Sequence, residues 1–265
     1  MNVDLSGHTA VITGGTSGIG LATAKLFLEA GANVAICGRD QDRLDNATAT
    51  LTANQSDDQL FAAPCDVLDK NSVANFAEKT IDHFGSVDTL INNAGQARVS
   101  KYEDTSDEAW REELDLKFFS VLRPSKAFQP YLEKSDNAAI ACTSSLIARQ
   151  PEPHVVATSA ARAGQLSLMH SMARELAPKD IRVNSILIGV VESAQWQRRY
   201  DALPDNRPAY DDWLKEQAVA KGIPLERFGK PEEAARALFF LGTPLSSYTT
   251  GSTIDLSGGL SRHVG

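Results

Sequence analysis

A glycine-rich turn near the beginning of the chain constrains the fold more than any other sequence feature. Residues 13–20 read TGGTSGIG, and they lie between an apolar run at residues 8–13 and a helix-like run at residues 18–30. Glycine lets a backbone turn sharply and approach a ligand closely, and the free amides at the start of a helix attract negative charge. The segment therefore predicts a strand, a tight turn and a helix that together bind a phosphate group.

The rest of the chain repeats this alternation of short apolar runs and longer amphipathic stretches. Strands are predicted at residues 8–13, 33–37, 59–65, 87–92, 138–142, 181–186 and 253–256, and helices at residues 18–30, 41–52, 69–84, 107–132 (one helix or two), 155–176 and 231–242. The strands are apolar along their whole length, as expected when helices cover both faces of a sheet. The pattern predicts an α/β fold with a doubly wound parallel sheet of about seven strands, a Rossmann fold. We found no linker or repeat, and we predict a single domain over residues 1–265.

Composition narrows the classes of function. The formal net charge of −8 makes nucleic acid and anionic membrane poor partners. Cys37, Cys65 and Cys142 are scattered and without CxxC spacing, and we expect them to be reduced core residues of a cytoplasmic protein. The histidines have no metal-ligand spacing, so no metal site is expected. No secretory or membrane-spanning segment is predicted either.

The form TGxxxGxG of the turn resembles the short-chain dehydrogenase/reductase family more than the general GxGxxG pattern. Other segments match that family in the same order: residues 66–67 (DV), residues 92–95 (NNAG), residues 182–184 (RVN) followed by Gly189, and residues 255–259 (DLSGG). One departure is Ile188, where the family usually has proline. The resemblance covers nearly the whole chain. It implies a nicotinamide dinucleotide cofactor and a small-molecule substrate.

The resemblance also assigns the cofactor-binding positions. They are Gly14, Thr16, Ser17, Gly18, Ile19, Gly20, Arg39, Asp66, Val67, Asn93, Ala94, Gly95, Arg162 and Gly189. An NAD-selective site usually has an acid at the end of the second strand, whereas this chain has Arg39, whose guanidinium can pair with the 2′-phosphate of NADP. A solvated surface arginine, neutralised by Asp40, is the alternative interpretation. We predict NADP(H) in preference to NAD(H).

The expected catalytic residues are only partly present. Ser145 matches the family's serine, but the tyrosine expected thirteen residues later is Thr158. The lysine expected four residues after that is Arg162, and the family's asparagine, seven residues after Trp110, is Lys117. The surrounding segment, residues 158–163, otherwise follows the family pattern. The active site is therefore expected to be non-standard.

These replacements change the available chemistry. A threonine hydroxyl is far less acidic than a tyrosine, but Thr158 and Ser145 can still donate a hydrogen bond to a carbonyl or oxyanion. Arg162 keeps its proton and can hold the nicotinamide ribose or an anionic substrate group. Lys117, if buried, could act as an acid or base, or it could be an ordinary exposed lysine. His154, four residues before Thr158, could replace the missing acid or be incidental.

Residues 190–230 do not follow the alternating pattern, and we predict a substrate lid there. Its aromatic residues either line a pocket or pack on one another; they are Trp196, Tyr200, Tyr210 and Trp213. By resemblance, the helices at residues 107–132 and 155–176 would form a homodimer or homotetramer.

Three functions remain open at this point. The first is an NADP(H)-dependent oxidoreductase that reduces a small carbonyl or enoyl compound with a non-standard proton donor. The second is a nucleotide-binding protein without classical redox turnover. The third is a non-redox lyase or dehalogenase, because halohydrin dehalogenases resemble the family and have arginine where Arg162 lies. Those enzymes keep the tyrosine and lack the glycine motif, however, so the match is partial.

Overall fold

The predicted alternation forms one parallel sheet with helices on both faces. The computed structural model describes residues 3–53 and 57–263. The strands are β1 (Thr9–Thr13), β2 (Asn33–Gly38), β3 (Leu60–Pro64), β4 (Thr89–Asn92), β5 (Ala139–Ser145), β6 (Arg182–Ile188) and β7 (Thr253–Leu256). The α-helices are α1 (Gly18–Glu29), α2 (Gln41–Thr52), α3 (Lys70–Phe84), α4 (Asp107–Leu132), α5 (Val156–Leu176), α6 (Ala194–Asp201), α7 (Tyr210–Ala220) and α8 (Pro231–Gly242).

The strand order creates a crevice at one edge of the sheet. The order is β3-β2-β1-β4-β5-β6-β7, and all six neighbouring pairs are parallel. The chain reverses direction across the sheet between β1 and β4, and ligands of such sheets bind outside the carboxyl ends of the strands at that point. The predicted seven-stranded Rossmann fold is confirmed.

Two apolar clusters cover the two faces of the sheet. One packs α3, α4 and α5 on the sheet around Phe76 and Phe128, and the other packs α1, α2 and α8 around Phe27 and Leu238. All four of these side chains are buried. Since both faces are covered, the uninterrupted apolar strands of the sequence are explained. The three cysteines are buried and free.

Several element boundaries differ from the sequence prediction. Strands β5 and β6 extend further, because their ladder continues to the pair Ser145 and Ile188. Helix α4 is one helix although it contains Pro124 and Pro130, and its buried face continues through Phe128. No helix among the described residues has the length and apolarity needed to cross a bilayer.

The segment 190–230 contains two helices, α6 and α7, that the sequence pattern did not predict. Its two ends are joined by a bridge between Val191 and Gly229. Between them, Trp213 and Phe228 form a small apolar core with aromatic neighbours. The rings of Trp196 and Trp213 lie 6.0 Å apart, and those of Trp196 and Phe228 lie 4.7 Å apart. Of the two alternatives for these aromatic residues, packing on one another is the one observed.

Candidate active site

The glycine-rich turn between β1 and α1 leaves no room for a side chain at Gly14 or Gly20. Gly14 has φ +66°, and a Cβ atom there would lie 2.9 Å from the Cα atom of Ala94. A Cβ atom on Gly20 would lie 2.2 Å from the carbonyl oxygen of Gly14. Real Cβ atoms do not approach so closely, so glycine is required where the turn packs on the loop after β4. This packing brings the backbone of the turn to the carboxyl edge of the sheet.

The start of α1 is suited to an anion. The N-cap residue, Ser17, has extended backbone and no side-chain capping bond, and the first turn of α1 contains no acidic residue. In α2, by contrast, the Asp40 carboxylate caps the helix and Asp42 lies in the first turn. The amides and dipole of α1 therefore remain for an external negative group. The turn fits the pyrophosphate of a dinucleotide.

A polar network ties the loop after β4 to the turn. The Asn93 side-chain amide donates to the carbonyl oxygen of Gly14 over 3.2 Å and accepts from the Thr143 hydroxyl over 3.0 Å. The Thr13 hydroxyl accepts from the backbone amides of Asn93 and Ala94, at 3.0 and 3.1 Å. These bonds link β1, β4 and β5 at their carboxyl ends and hold the predicted site residues in one place.

The residue expected to select the cofactor lies in a pocket of about 430 Å³ at the end of β2. The pocket is lined by Thr16, Arg39, Asp40 and Arg43. The Asp40 carboxylate accepts a 2.9 Å hydrogen bond from the Arg43 amide, so it caps α2 and is not committed to Arg39. Gly38 makes room for Thr16, whose methyl carbon would lie 2.7 Å from a Cβ atom there. Two guanidinium groups and a hydroxyl, together with the capping Asp40 carboxylate, thus line a space of a size that fits a phosphate.

The other expected cofactor residues also lie at this edge. One carboxylate oxygen of Asp66 accepts from the Leu68 amide over 2.9 Å, which fixes the carboxylate while its second oxygen can accept from a ligand. Gly189 follows β6, and a Cβ atom there would lie 2.9 Å from the Cα atom of Ser257. Val67 is buried beside Asp66.

Arg162 points from α5 toward the carboxyl end of β5. Its Nη1 atom donates to the carbonyl oxygen of Thr143 over 2.7 Å and to the Gln165 side chain over 2.8 Å. Its Nε atom is buried without a partner among the described residues. Burial lowers the pKa of Arg162, but an arginine begins so high that it stays cationic. The Nη2 atom of the same guanidinium group lies near Gly95, 3.6 Å from where a Cβ atom of that residue would be. An unsatisfied buried donor in this guanidinium group fits the hydroxyl groups of a bound ribose.

Lys117 and Thr158 meet at a buried carboxylate. The Lys117 ammonium lies 2.7 Å from Glu113 Oε1 and donates to the carbonyl oxygen of Gln96 over 2.6 Å. The Thr158 hydroxyl donates to the same Glu113 oxygen over 2.6 Å. The exposed fractions of the Lys117 and Glu113 side chains are 1% and 2%. Lys117 is therefore not the exposed helix lysine of the alternative interpretation.

The surroundings of Lys117 make it a stronger acid than an ordinary lysine. Burial is the largest cause, followed by repulsion from Arg162, and together they lower its pKa to about 8, although Glu113 opposes the shift. At neutral pH the ammonium form still predominates. Two of its three N–H groups are used by protein oxygens, and the third has capacity for a further acceptor.

The remaining two candidates are placed differently. Ser145 is half-buried at the last position of β5, and its hydroxyl donates to the carbonyl oxygen of Ile188 over a long 3.3 Å. A bond of that length is readily exchanged for a ligand. His154 is exposed in the loop before α5, and its carbonyl oxygen accepts from the Ser100 amide. The structure does not bring the His154 side chain into the buried cluster.

Sequence reasoning missed two residues of this cluster. Glu113 lies four residues before Lys117 on α4, and an acid and a lysine at that spacing lie on the same helix face. That signal was available, but it usually marks a solvated surface pair. Gln165 joins the two helices, because it accepts from Arg162 and donates to the Lys117 carbonyl oxygen over 2.9 Å. Nothing in the sequence pattern distinguished it.

Comparison with known proteins agrees with this geometry. A family model described as enoyl-(acyl carrier protein) reductase matches residues 14–261. An uncharacterised short-chain type dehydrogenase/reductase, y4mP of Sinorhizobium fredii, is 36% identical over 98% of this chain and 99% of its own.

Two solved structures are also similar. One is an NADPH-bound short chain oxidoreductase of Pseudomonas aeruginosa PAO1, described as containing an atypical catalytic center; it is 57% identical, with TM-score 0.95, over 99% of this chain and 100% of the other. The second is L-sorbose reductase of Gluconobacter frateurii with NADPH and L-sorbose, at 29% identity and TM-score 0.93 over the whole of both chains. The chain belongs to the short-chain dehydrogenase/reductase family and is an oxidoreductase of that type.

Proposed function

We propose that this protein is an NADP(H)-dependent oxidoreductase that reduces a small carbonyl or enoyl compound, with Lys117 as the proton donor in place of the family's tyrosine. The observation that carries the proposal is the position of Lys117. Its ammonium group is buried on α4 against the loop after β4, uses two of its three N–H groups on protein oxygens and has a pKa lowered to about 8. We assign the third N–H group to the substrate. An acid with a pKa close to the working pH is well suited to proton transfer.

The preference for NADP(H) is supported by the pocket at the end of β2. Arg39 and Arg43 line it together with Thr16, and two cations are expected to favour a 2′-phosphate over a bare hydroxyl. The similar Pseudomonas aeruginosa oxidoreductase and the L-sorbose reductase were both solved with NADPH. Arg162 would hold the nicotinamide ribose through its unsatisfied Nε donor.

The proposed reaction is a hydride transfer coupled to a proton transfer. NADPH, held by the glycine-rich turn, Arg39 and Arg162, would supply a hydride to the electrophilic carbon of the substrate and would be left as NADP⁺. The π-electron pair of the C=O or C=C bond moves to the oxygen or the α-carbon, which takes a proton from Lys117 Nζ. Lys117 is left as a neutral amine and regains a proton from solvent. Ser145 would donate a hydrogen bond to the substrate oxygen as negative charge develops there.

Thr158 has a different role in this proposal from the family's tyrosine. Its single hydroxyl proton is used by the Glu113 carboxylate, since a carboxylate can only accept. We therefore place Thr158 among the supporting groups. His154, which is exposed, is left without a proposed role. The segment 190–230 is proposed as the substrate lid, which its internal core and its joined ends support.

The experiment is a nucleotide titration followed by a turnover screen. We expect NADPH to bind more tightly than NADH by nicotinamide fluorescence, and we expect NADPH oxidation with a member of a ketone and enoyl panel. Arg39→Ala should weaken NADPH binding by about 10- to 100-fold, the value of a lost charge-assisted bond, and leave NADH binding nearly unchanged. Arg111→Ala, at an exposed arginine on α4, is the matched control.

Other results would point to the alternative functions. Tight NADPH binding without turnover on any panel member would favour a nucleotide-binding protein. Halide release from halohydrins, with no nucleotide binding, would favour a non-redox enzyme. Equal affinity for NADPH and NADH would contradict the role given to Arg39.

A further inference from the structure

Glu113 is a charged residue on the buried face of α4. Its side chain is only 2% exposed, and a buried carboxylate is strongly destabilising unless donors surround it. Both of its donors, Lys117 and Thr158, converge on one oxygen, Oε1, at 2.7 and 2.6 Å. Because a carboxylate donates nothing itself, the direction of both bonds is fixed.

The same carboxylate connects two helices and a loop. Glu113 and Lys117 lie one turn apart on α4, while Thr158 lies in the first turn of α5. The Thr158 hydroxyl also accepts from the Arg98 amide, over 3.3 Å, in the loop between β4 and α4. The position of the Lys117 ammonium therefore depends on Glu113, and the position of Glu113 depends on Thr158.

The charged groups around Lys117 explain why a carboxylate is needed there. Arg162 faces it from α5 and Arg98 from the loop before α4, and both disfavour the ammonium form. Among the charged groups near Lys117 in the described parts of the chain, Glu113 is the one that favours that form. Without the carboxylate, a buried lysine near two guanidinium groups would lose its proton more readily and could not serve as an acid near neutral pH.

We propose that Glu113 is a positioning residue that holds the Lys117 ammonium group and the Thr158 hydroxyl group on one oxygen, and thereby lets Lys117 act in place of the family's tyrosine and lysine. This inference rests on the proposed function. It adds a residue to which neither the family motif nor the glycine-rich turn assigns a role.

The test has one arm that does not depend on turnover. The titration of Lys117 is followed by NMR of ¹³C-labelled lysine side chains, with Lys117→Arg used to assign the signal. In Glu113→Gln the titration midpoint of Lys117 should fall by about one pH unit or more, because a contacting opposite charge shifts a pKa by that amount. Glu108→Gln removes an exposed carboxylate of the same helix and should leave the midpoint unchanged.

The second arm is kinetic. Glu113→Gln should lower kcat at pH 8 by about 10- to 100-fold, with NADPH affinity unchanged. This is less than the contribution of a complete general acid, about 100- to 10,000-fold, because Lys117 itself is retained. Its activity should also decline at lower pH than that of the wild type. Glu113→Asp keeps the charge and should restore part of kcat. Thr158→Val should lower kcat less than Glu113→Gln, because the ion pair survives.

The outcomes separate the two claims. Absence of wild-type turnover across the panel would refute the proposed function, whatever Lys117 does. An unmoved Lys117 midpoint in Glu113→Gln, or an unchanged kcat and pH profile, would overturn the role of Glu113 while the oxidoreductase function stands. If Glu113→Gln does not fold, Glu113→Asp and Thr158→Val test the positioning of Lys117 with the charge retained, and an unchanged kcat and pH profile in both would overturn the role of Glu113.

Discussion

Replacement of Lys117 by methionine would leave a carboxylate buried without its cation. Methionine is similar in length and apolar, so the helix packing should be kept while the ion pair with Glu113 is lost. Removal of one partner of a buried ion pair usually costs about 3–5 kcal/mol. In Lys117→Met, the folded protein must either bury the Glu113 charge or take up a proton there.

The cost of taking up a proton sets the upper limit of the effect. A glutamate carboxyl has an ordinary pKa of about 4.3, and one pH unit corresponds to about 1.36 kcal/mol. Keeping such a group protonated in the folded state therefore costs about 3.7 kcal/mol at pH 7 and about 1 kcal/mol at pH 5. The folded variant then binds more protons than the unfolded chain over this range, so its stability falls relative to the wild type as pH rises.

The measurement is urea unfolding of both proteins at pH 5, 6 and 7, followed by tryptophan fluorescence at a fixed protein concentration. We expect Lys117→Met to be less stable by up to about 1 kcal/mol at pH 5 and by up to about 3.7 kcal/mol at pH 7. Lys126→Met, at an exposed lysine of α4, is the control and should be nearly neutral. A deficit that is the same at pH 5 and pH 7 would refute the reasoning, because it would show that no buried carboxylate depends on Lys117.

Three further predictions concern the scaffold. Gly20→Ala should abolish nucleotide binding and lower the melting temperature in a thermal scan, because its Cβ atom would lie 2.2 Å from the Gly14 carbonyl oxygen; unchanged NADPH affinity would contradict it. The buried His8 has a pKa lowered chiefly by burial. The unfolded state therefore binds more protons than the folded state below about pH 6.5, and the free energy of unfolding should decline as pH falls through that value. His8→Gln should remove this part of the pH dependence when urea unfolding is measured between pH 5 and 7. Arg182 donates to three carbonyl oxygens at and after the end of α8, those of Leu241, Thr243 and Ser246. Arg182→Met should lower the free energy of unfolding in denaturant by about 2–4 kcal/mol, because these acceptors would lose their donor. A decrease below about 1 kcal/mol would contradict this prediction.

The fold could be predicted because each of its requirements leaves a local signal. Apolar runs with helices on both faces give uninterrupted strands, and the turn after β1 needs glycine at positions such as Gly14 and Gly20 for steric reasons. The helices of the segment 190–230 were missed because its aromatic residues pack into a small core of their own. The spacing of these aromatic residues is set by that small core and does not follow the alternation of strands and helices that forms the sheet. A cytoplasmic location and a homo-oligomer remain predictions.

For the candidate site, the sequence predicts positions in the chain but not the contacts between the side chains. The spacing from Ser145 located Thr158 and Arg162, and the spacing from Trp110 located Lys117. Whether Lys117 was exposed or buried could not be decided from the sequence, because that depends on how α4 packs on α5. Glu113 was missed for the same reason, because a carboxylate and a lysine one turn apart give the same sequence pattern whether the helix face is buried or exposed to solvent.

The helical spacing shows why the three replacements, Lys117, Thr158 and Arg162, belong together with Glu113. Glu113 and Lys117 are four residues apart on α4, and Thr158 and Arg162 are four residues apart on α5, so each pair occupies one face of its helix and the two faces meet. The cluster holds two cations and one anion, and this excess of positive charge would suit an oxyanion formed in the proposed reduction. Restoring only Thr158→Tyr and Arg162→Lys would remove a donor from Glu113 and place a second lysine beside Lys117. The double reversion should therefore fail to recreate the family's usual centre unless Lys117→Asn and a neutral residue at position 113 accompany it.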